Sequence, residues 1–92
     1  MQDFIVIARI QGRVQGVSFR AWTRDHARRL GLTGWVRNEP DGSVRAMIAG
    51  PRGSVERMLD HLNDGPPAAR VDAVQSEVQE SADFPRDFSI LG

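Results

Sequence analysis

A chain of 92 residues, 40% hydrophobic and 26% charged, has room for one domain, taken as residues 1–92, around one hydrophobic core. It has no cysteine and no lysine, all twelve basic residues being Arg, which excludes disulfides, thiolate nucleophiles, thiolate metal sites and Schiff-base lysines. A formal net charge of +0 weighs against nucleic acid as a partner, since duplex binders carry a basic excess.

The charge is uneven along the chain. Residues 1–38 hold seven Arg against two acidic residues, and residues 39–92 hold five Arg against ten. A local positive field in the first half suits a small anion, whereas simple attraction between the halves explains the same pattern, and charge alone does not choose. No segment approaches the roughly 20 apolar residues that span a bilayer. The apolar run Phe4–Ala8 is too short for a signal-peptide core and follows Asp3 rather than a basic stretch. The expectation is a cytoplasmic monomer with no membrane or nucleic-acid partner.

Phe4 to Ile10 is apolar and β-branched and predicts a first strand, interrupted by the glycine-bearing segment Gly12 to Ser18. From Phe19 the period changes. Phe19, Trp22, His26, Ala27 and Leu30 fall on one helical face, with Ser18 as a natural N-cap and Gly31 as a natural stop. Thr33 to Asn38 predicts a second strand, Glu39-Pro40-Asp41-Gly42 supplies turn chemistry, and Ser43 to Ala49 predicts a third strand that completes a hairpin. Val55, Met58, Leu59 and Leu62 mark a second amphipathic helix. Arg70 to Val78 is a fourth strand and Phe88 to Leu91 a short terminal one. The order βαββαβ predicts an α+β fold: a ferredoxin-like two-layer sandwich, mostly antiparallel, with two helices on one face and the first and third strands central. That fold serves many functions and names none of them.

Two stretches are more specific. The first is Ile10-Gln11-Gly12-Arg13-Val14-Gln15-Gly16-Val17-Ser18-Phe19-Arg20; the second is Gly34-Trp35-Val36-Arg37-Asn38-Glu39-Pro40-Asp41-Gly42-Ser43-Val44, followed by Gly50. Together they resemble the two sequence motifs of the acylphosphatase family, in the right order and spacing, and the resemblance extends over nearly the whole chain. Ser18 stands where the commonest bacterial form has Gly, and the ending Ile90-Leu91-Gly92 departs from the family's aromatic or basic one. The resemblance implies an enzyme that hydrolyses the carboxyl–phosphate bond of small acyl phosphates to carboxylate and inorganic phosphate, without metal or cofactor. It implies Arg20 as the phosphate-binding arginine and Asn38 as the residue that positions the attacking water. It assigns Gln15, Gly16, Val17, Ser18 and Phe19 to a loop of backbone N–H donors. The alternative is a non-catalytic module of the same fold that holds phosphate or carbamoyl phosphate.

The residues themselves fit that chemistry. A strand-to-helix loop presents unpaired N–H groups and the positive end of a helix dipole, Gly12 and Gly16 allow close approach to a ligand, and Arg20 can aim a two-pronged donor at phosphate. Taken alone, the loop is a tight connection with a solvated arginine, and Asn38 is a turn initiator. A carboxylate leaving group, with a pKa near about 4, needs no general acid, so absence of a catalytic His or Cys is no obstacle. His26 is expected to be packed and His61 exposed, with no metal pair between them. Gly16-Val17-Ser18 lacks the final Gly of a nucleophile elbow, which favours Ser18 as a helix cap. Trp22 and Trp35 are expected in the core and Arg37 in solvent. An RNA-binding reading lacks aromatics on the central strands and a basic sheet face.

Overall fold

Strict alternation in the first strand decides where it lies: Val6, Ala8 and Ile10 are buried on one face, while Ile5, Ile7 and Arg9 point to the other. The computed structural model describes residues 3–80, 83 and 85–91, so Gly92 lies outside the described residues. Its elements run β1 (Phe4–Arg13), α1 (Phe19–Arg29), β2 (Thr33–Asn38), β3 (Val44–Gly50), α2 (Arg52–Asp64), β4 (Arg70–Gln79) and β5 (Phe88–Leu91). The sheet order is β4-β1-β3-β2-β5, antiparallel except for the parallel pair β2–β5. This is the α+β two-layer arrangement expected from the element order, with β1 and β3 central.

Both helices pack on the Val6–Ala8–Ile10 face. From α1 come Phe19, Thr23 and Ala27; from α2 come Val55, Met58 and Leu62, at the i, i+3, i+7 spacing of one helical stripe. Val36, Val44, Ala46, Ile48 and Phe88 complete that core from the sheet. Each fully buried aliphatic side chain contributes about 1.5–3 kcal/mol by leaving water. Replacing Met58 by Ala would remove one such group and leave a cavity, at a cost of about 2–5 kcal/mol.

β1 runs to Arg13, beyond the expected end at Ile10, because Gln11, Gly12 and Arg13 keep pairing with β4 through a bulge at Gln11/Gly12. At Gly12 φ is 130°, and a Cβ there would sit 2.1 Å from the Arg70 carbonyl oxygen. That glycine serves the approach of two strands, not the approach of a ligand. α1 stops at Gly31 as expected, with the Leu32 N–H donating to Ala27 O at 2.9 Å.

Trp35 departs from expectation. It lies on the sheet face away from the helices, half-buried beside Ile5, Ile7, Met47 and Ala49, because its neighbours Gly34 and Val36 take the core-facing positions. Arg37 stacks over its ring at 4.7 Å and pairs with Glu39 at 2.8 Å, so it is not a freely solvated arginine. His61 is likewise half-buried instead of exposed, its ring 5.2 Å from that of His26 between the two helices.

Candidate active site

The strand register brings the two motifs to one end of the sheet. Ile10 opposes Val44, and Val44 opposes Asn38, so the three form one row across β1, β3 and β2 on the face that carries the helices. The row ends at Asn38, the last residue of β2, near where β1 gives way to residues 14–18. Those residues hold themselves in place with apolar anchors: Val14 is 1% exposed, Val17 packs against the core, and Phe19 is 1% exposed in the first turn of α1. Gly16 and Ser18, between the anchors, stay exposed. A cleft of about 380 Å³ results, lined by Val14, Gly16, Ser18, Phe19, Arg20, Ala21, Asn38 and Ile90.

One wall of the cleft is the start of α1. The Trp22 N–H donates to Ser18 O at 3.0 Å, so the N–H groups of Phe19, Arg20 and Ala21 precede the regular helix ladder. No acidic residue stands in that first turn to neutralise the positive end of the dipole. Ser18 occupies the N-cap position but makes no side-chain cap bond; its backbone sits at φ 62°, ψ 24°, in the left-handed region. The cap expected from a hydroxyl at this position is therefore absent. Left-handed geometry burdens a residue with a Cβ by about 1–2 kcal/mol and is free to Gly, which is a physical reason for a glycine to suit the position. Gly16 has φ 75°, and space is open around a Cβ built there.

The other wall is the end of the β2–β3 hairpin. Its turn is closed by the Glu39 N–H donating to Ser43 O at 2.9 Å and the Gly42 N–H donating to Glu39 O at 3.1 Å. Asp41 Oδ1 accepts from the Ser43 N–H at 2.9 Å and from Ser43 Oγ at 2.6 Å. These two bonds are the leading causes that hold the Asp41 carboxyl below its ordinary pKa, with Arg9 of β1 adding to them. Turn chemistry is thus the work of Asp41 and not of Asn38. The Asn38 Oδ1 atom is closed off from solvent and has no hydrogen-bond partner among the described residues. Thr23 Oγ1 and Thr33 Oγ1 share that condition but do not line the cleft.

Of the residues singled out in the sequence, Gly16, Ser18, Phe19, Arg20 and Asn38 meet in this cleft. Gln15 and Val17 do not line it: Val17 points into the core, and Gln15 Nε2 reaches the hairpin, donating to Glu39 O and Ser43 O at 2.8 Å each. Sequence reasoning overlooked Val14, Ala21 and Ile90 as lining residues. Ile90 had no local signal, because only the parallel β2–β5 pairing puts it beside Val36. A larger hollow of about 670 Å³ lies across the sheet near Ile7, Arg9, Asp41, Arg45 and Glu77, where arginines and carboxylates stand together and no helix begins. Among the described residues no three His, Cys, Asp or Glu side chains come together. No helix among them is long and apolar enough to cross a membrane.

Fold and cleft define a ferredoxin-like α+β protein with an anion-suited pocket at a strand–helix junction. The family model named Acylphosphatase matches residues 6–90. An acylphosphatase of Rhizobium meliloti is 63% identical over 84 residues, covering 91% of this chain and 88% of that protein. Among solved structures, an acylphosphatase from Coxiella burnetii superposes with a TM-score of 0.92 at 36% identity, covering 98% of this chain and 94% of that one. One from Bacillus subtilis gives 0.93 at 29% identity, covering 97% and 99%. The chain belongs to the acylphosphatase family.

Proposed function

We propose that this protein hydrolyses the carboxyl–phosphate bond of small acyl phosphates, with the phosphoryl group held by the loop of residues 15–19 and by Arg20, and the attacking water held by Asn38. The observation that carries the assignment is the meeting of Asn38 and Arg20 with Gly16, Ser18 and the start of α1 in one cleft. An Asn amide offers an oxygen that accepts from a water and an NH₂ that donates to a phosphoryl oxygen, so one side chain can set the two relative to each other.

In the proposed reaction the water oxygen attacks phosphorus as the bond from phosphorus to the acyl oxygen breaks. The carboxylate leaves with the bonding pair, and the proton of the water passes to a phosphoryl oxygen, so that carboxylate and dihydrogen phosphate carry away the two negative charges of the substrate. The leaving group is a weak base and needs no acid. Positioning and charge stabilisation therefore supply the catalysis, which suits an arginine fork, backbone N–H donors and a helix terminus. The described elements share one sheet and one main core, which supports reading the chain as one catalytic domain. The reaction is proposed to need no metal.

The test is phosphate release from benzoyl phosphate or acetyl phosphate by the purified protein in excess chelator. Turnover that depends on Arg20 and is inhibited competitively by inorganic phosphate is the expected result. Phosphate binding without turnover would instead establish a non-catalytic binding module.

A further inference from the structure

We infer that the side chain of Gln15 is a positioning residue that sets the location of Asn38 relative to the anion loop; the inference rests on the function proposed above. Loop and hairpin belong to different parts of the chain, and the β-ladder does not join them. The β1–β3 pairing ends at Ile10 opposite Val44; past that point β1 follows β4, and residues 39–43 turn outside the ladder, tied to β1 by the Arg9–Asp41 ion pair. The Gln15 amide bridges the gap. Its Nε2 donates to Glu39 O and to Ser43 O, both at 2.8 Å, across 24 and 28 residues of sequence.

Both acceptors are carbonyl oxygens, so the orientation of the amide is fixed, and its two N–H donors are both used. The acceptors are also the residues that close the turn, since the Glu39 N–H donates to Ser43 O. Glu39 directly follows Asn38. A half-buried tether at that place governs how far the Asn38 amide stands from Gly16 and Ser18, hence the distance from water to phosphorus. A misplacement of about 1 Å in such a geometry can lower a rate by about 10²-fold while leaving binding intact. The Gln15 side chain is placed to act on turnover, through Asn38, and its backbone on binding.

The experiment measures kcat, KM and the inhibition constant for inorganic phosphate in the wild type, Gln15→Met, Asn38→Ala and the double variant, with circular dichroism on each. Gln15→Met keeps the length and removes both donors. Its kcat should fall about 10- to 100-fold with the phosphate inhibition constant within about threefold of the wild type. In the Asn38→Ala background the same change should lower kcat no further. Gln15→Glu gives a second reading: its carboxylate cannot donate to the two carbonyls, but its protonated form can donate to one. Activity relative to wild type should therefore rise as pH falls through the Glu pKa. If Gln15→Met turns over like the wild type, if its loss adds fully to that of Asn38→Ala, or if phosphate binding falls as much as kcat, the inference is wrong. Unfolding of both Gln15 variants also overturns it, because the residue is then structural. An inactive wild type, or a fully active Asn38→Ala, overturns the proposed function itself and is distinct from each of those outcomes.

Discussion

Two short connections meet at the same end of the sheet, and they solve opposite problems. Residues 14–18, ahead of α1, are anchored by apolar side chains at Val14, Val17 and Phe19, and turn their backbone toward the cleft through Gly16 and a left-handed Ser18. Residues 39–43 are anchored by polar side chains, with Asp41 on Ser43, Arg37 on Glu39 and Gln15 on the Glu39 and Ser43 carbonyls, while the preceding Asn38 Oδ1 has no partner among the described residues. In the proposed division the first connection binds an anion with main-chain groups and the second presents one side chain to a water. The lesson is that a residue which resembles turn chemistry in sequence is free for catalysis when a neighbour already makes the turn.

The largest effect is expected at the binding side. Arg20→Ala removes charge and fork, and Arg20→Lys keeps charge but loses the fork. Both should lower kcat/KM by about 10³-fold with phosphate inhibition weakened and far-UV circular dichroism unchanged. Wild-type hydrolysis by Arg20→Ala would leave that arginine as a surface residue.

Next comes Asn38→Asp, nearly isosteric. Asp suits turns as well as Asn, so a turn role predicts an active protein. In the proposed role the carboxylate repels a phosphoryl group carrying about two negative charges and the NH₂ donor is lost. Turnover should fall at least about 10²–10³-fold with little change in thermal stability.

Asp41→Asn probes the hairpin's own lock. The folded-state pKa of Asp41 lies below its ordinary 3.8, so its charged form contributes stability above that value and loses the contribution as pH falls through the lower folded-state value. The thermal midpoint of Asp41→Asn should lie slightly below wild type near neutral pH and converge with it in acid. A gap that widens in acid would contradict the assignment.

The smallest effect is expected at Ser18. Ser18→Ala should change stability by less than about 0.5 kcal/mol, whereas loss of a working cap costs about 1 kcal/mol. Ser18→Gly should leave stability unchanged or raise it by up to about 1 kcal/mol, as relief of left-handed strain outweighs the added freedom of the unfolded chain. Urea unfolding of the three proteins checks both.

Much of this was legible in the sequence, and for identifiable reasons. The periods of two in β1 and β3 and of 3.6 in α1 and α2 are dictated by burial, so element order and the main core could be read from them. Trp35 was expected in the core and lies on the other sheet face, since a strand's two faces look alike until the partners of Gly34 and Val36 are known. Ser18 was misjudged as a cap because residue type records a hydroxyl but not the left-handed backbone beneath it. The Gln15 bridge and the Ile90 wall depend on contacts between distant segments, which no local pattern carries.

The most direct test of the division between the two connections is Asn38→Ala, which removes the amide without adding charge. Stopped-flow turnover of benzoyl phosphate is measured together with the dissociation constant of inorganic phosphate by calorimetry. If Asn38 holds the water and the loop holds the anion, kcat falls about 10²–10³-fold with phosphate affinity changed less than about fivefold. Wild-type kcat, or an equal loss of kcat and phosphate affinity, would contradict that division.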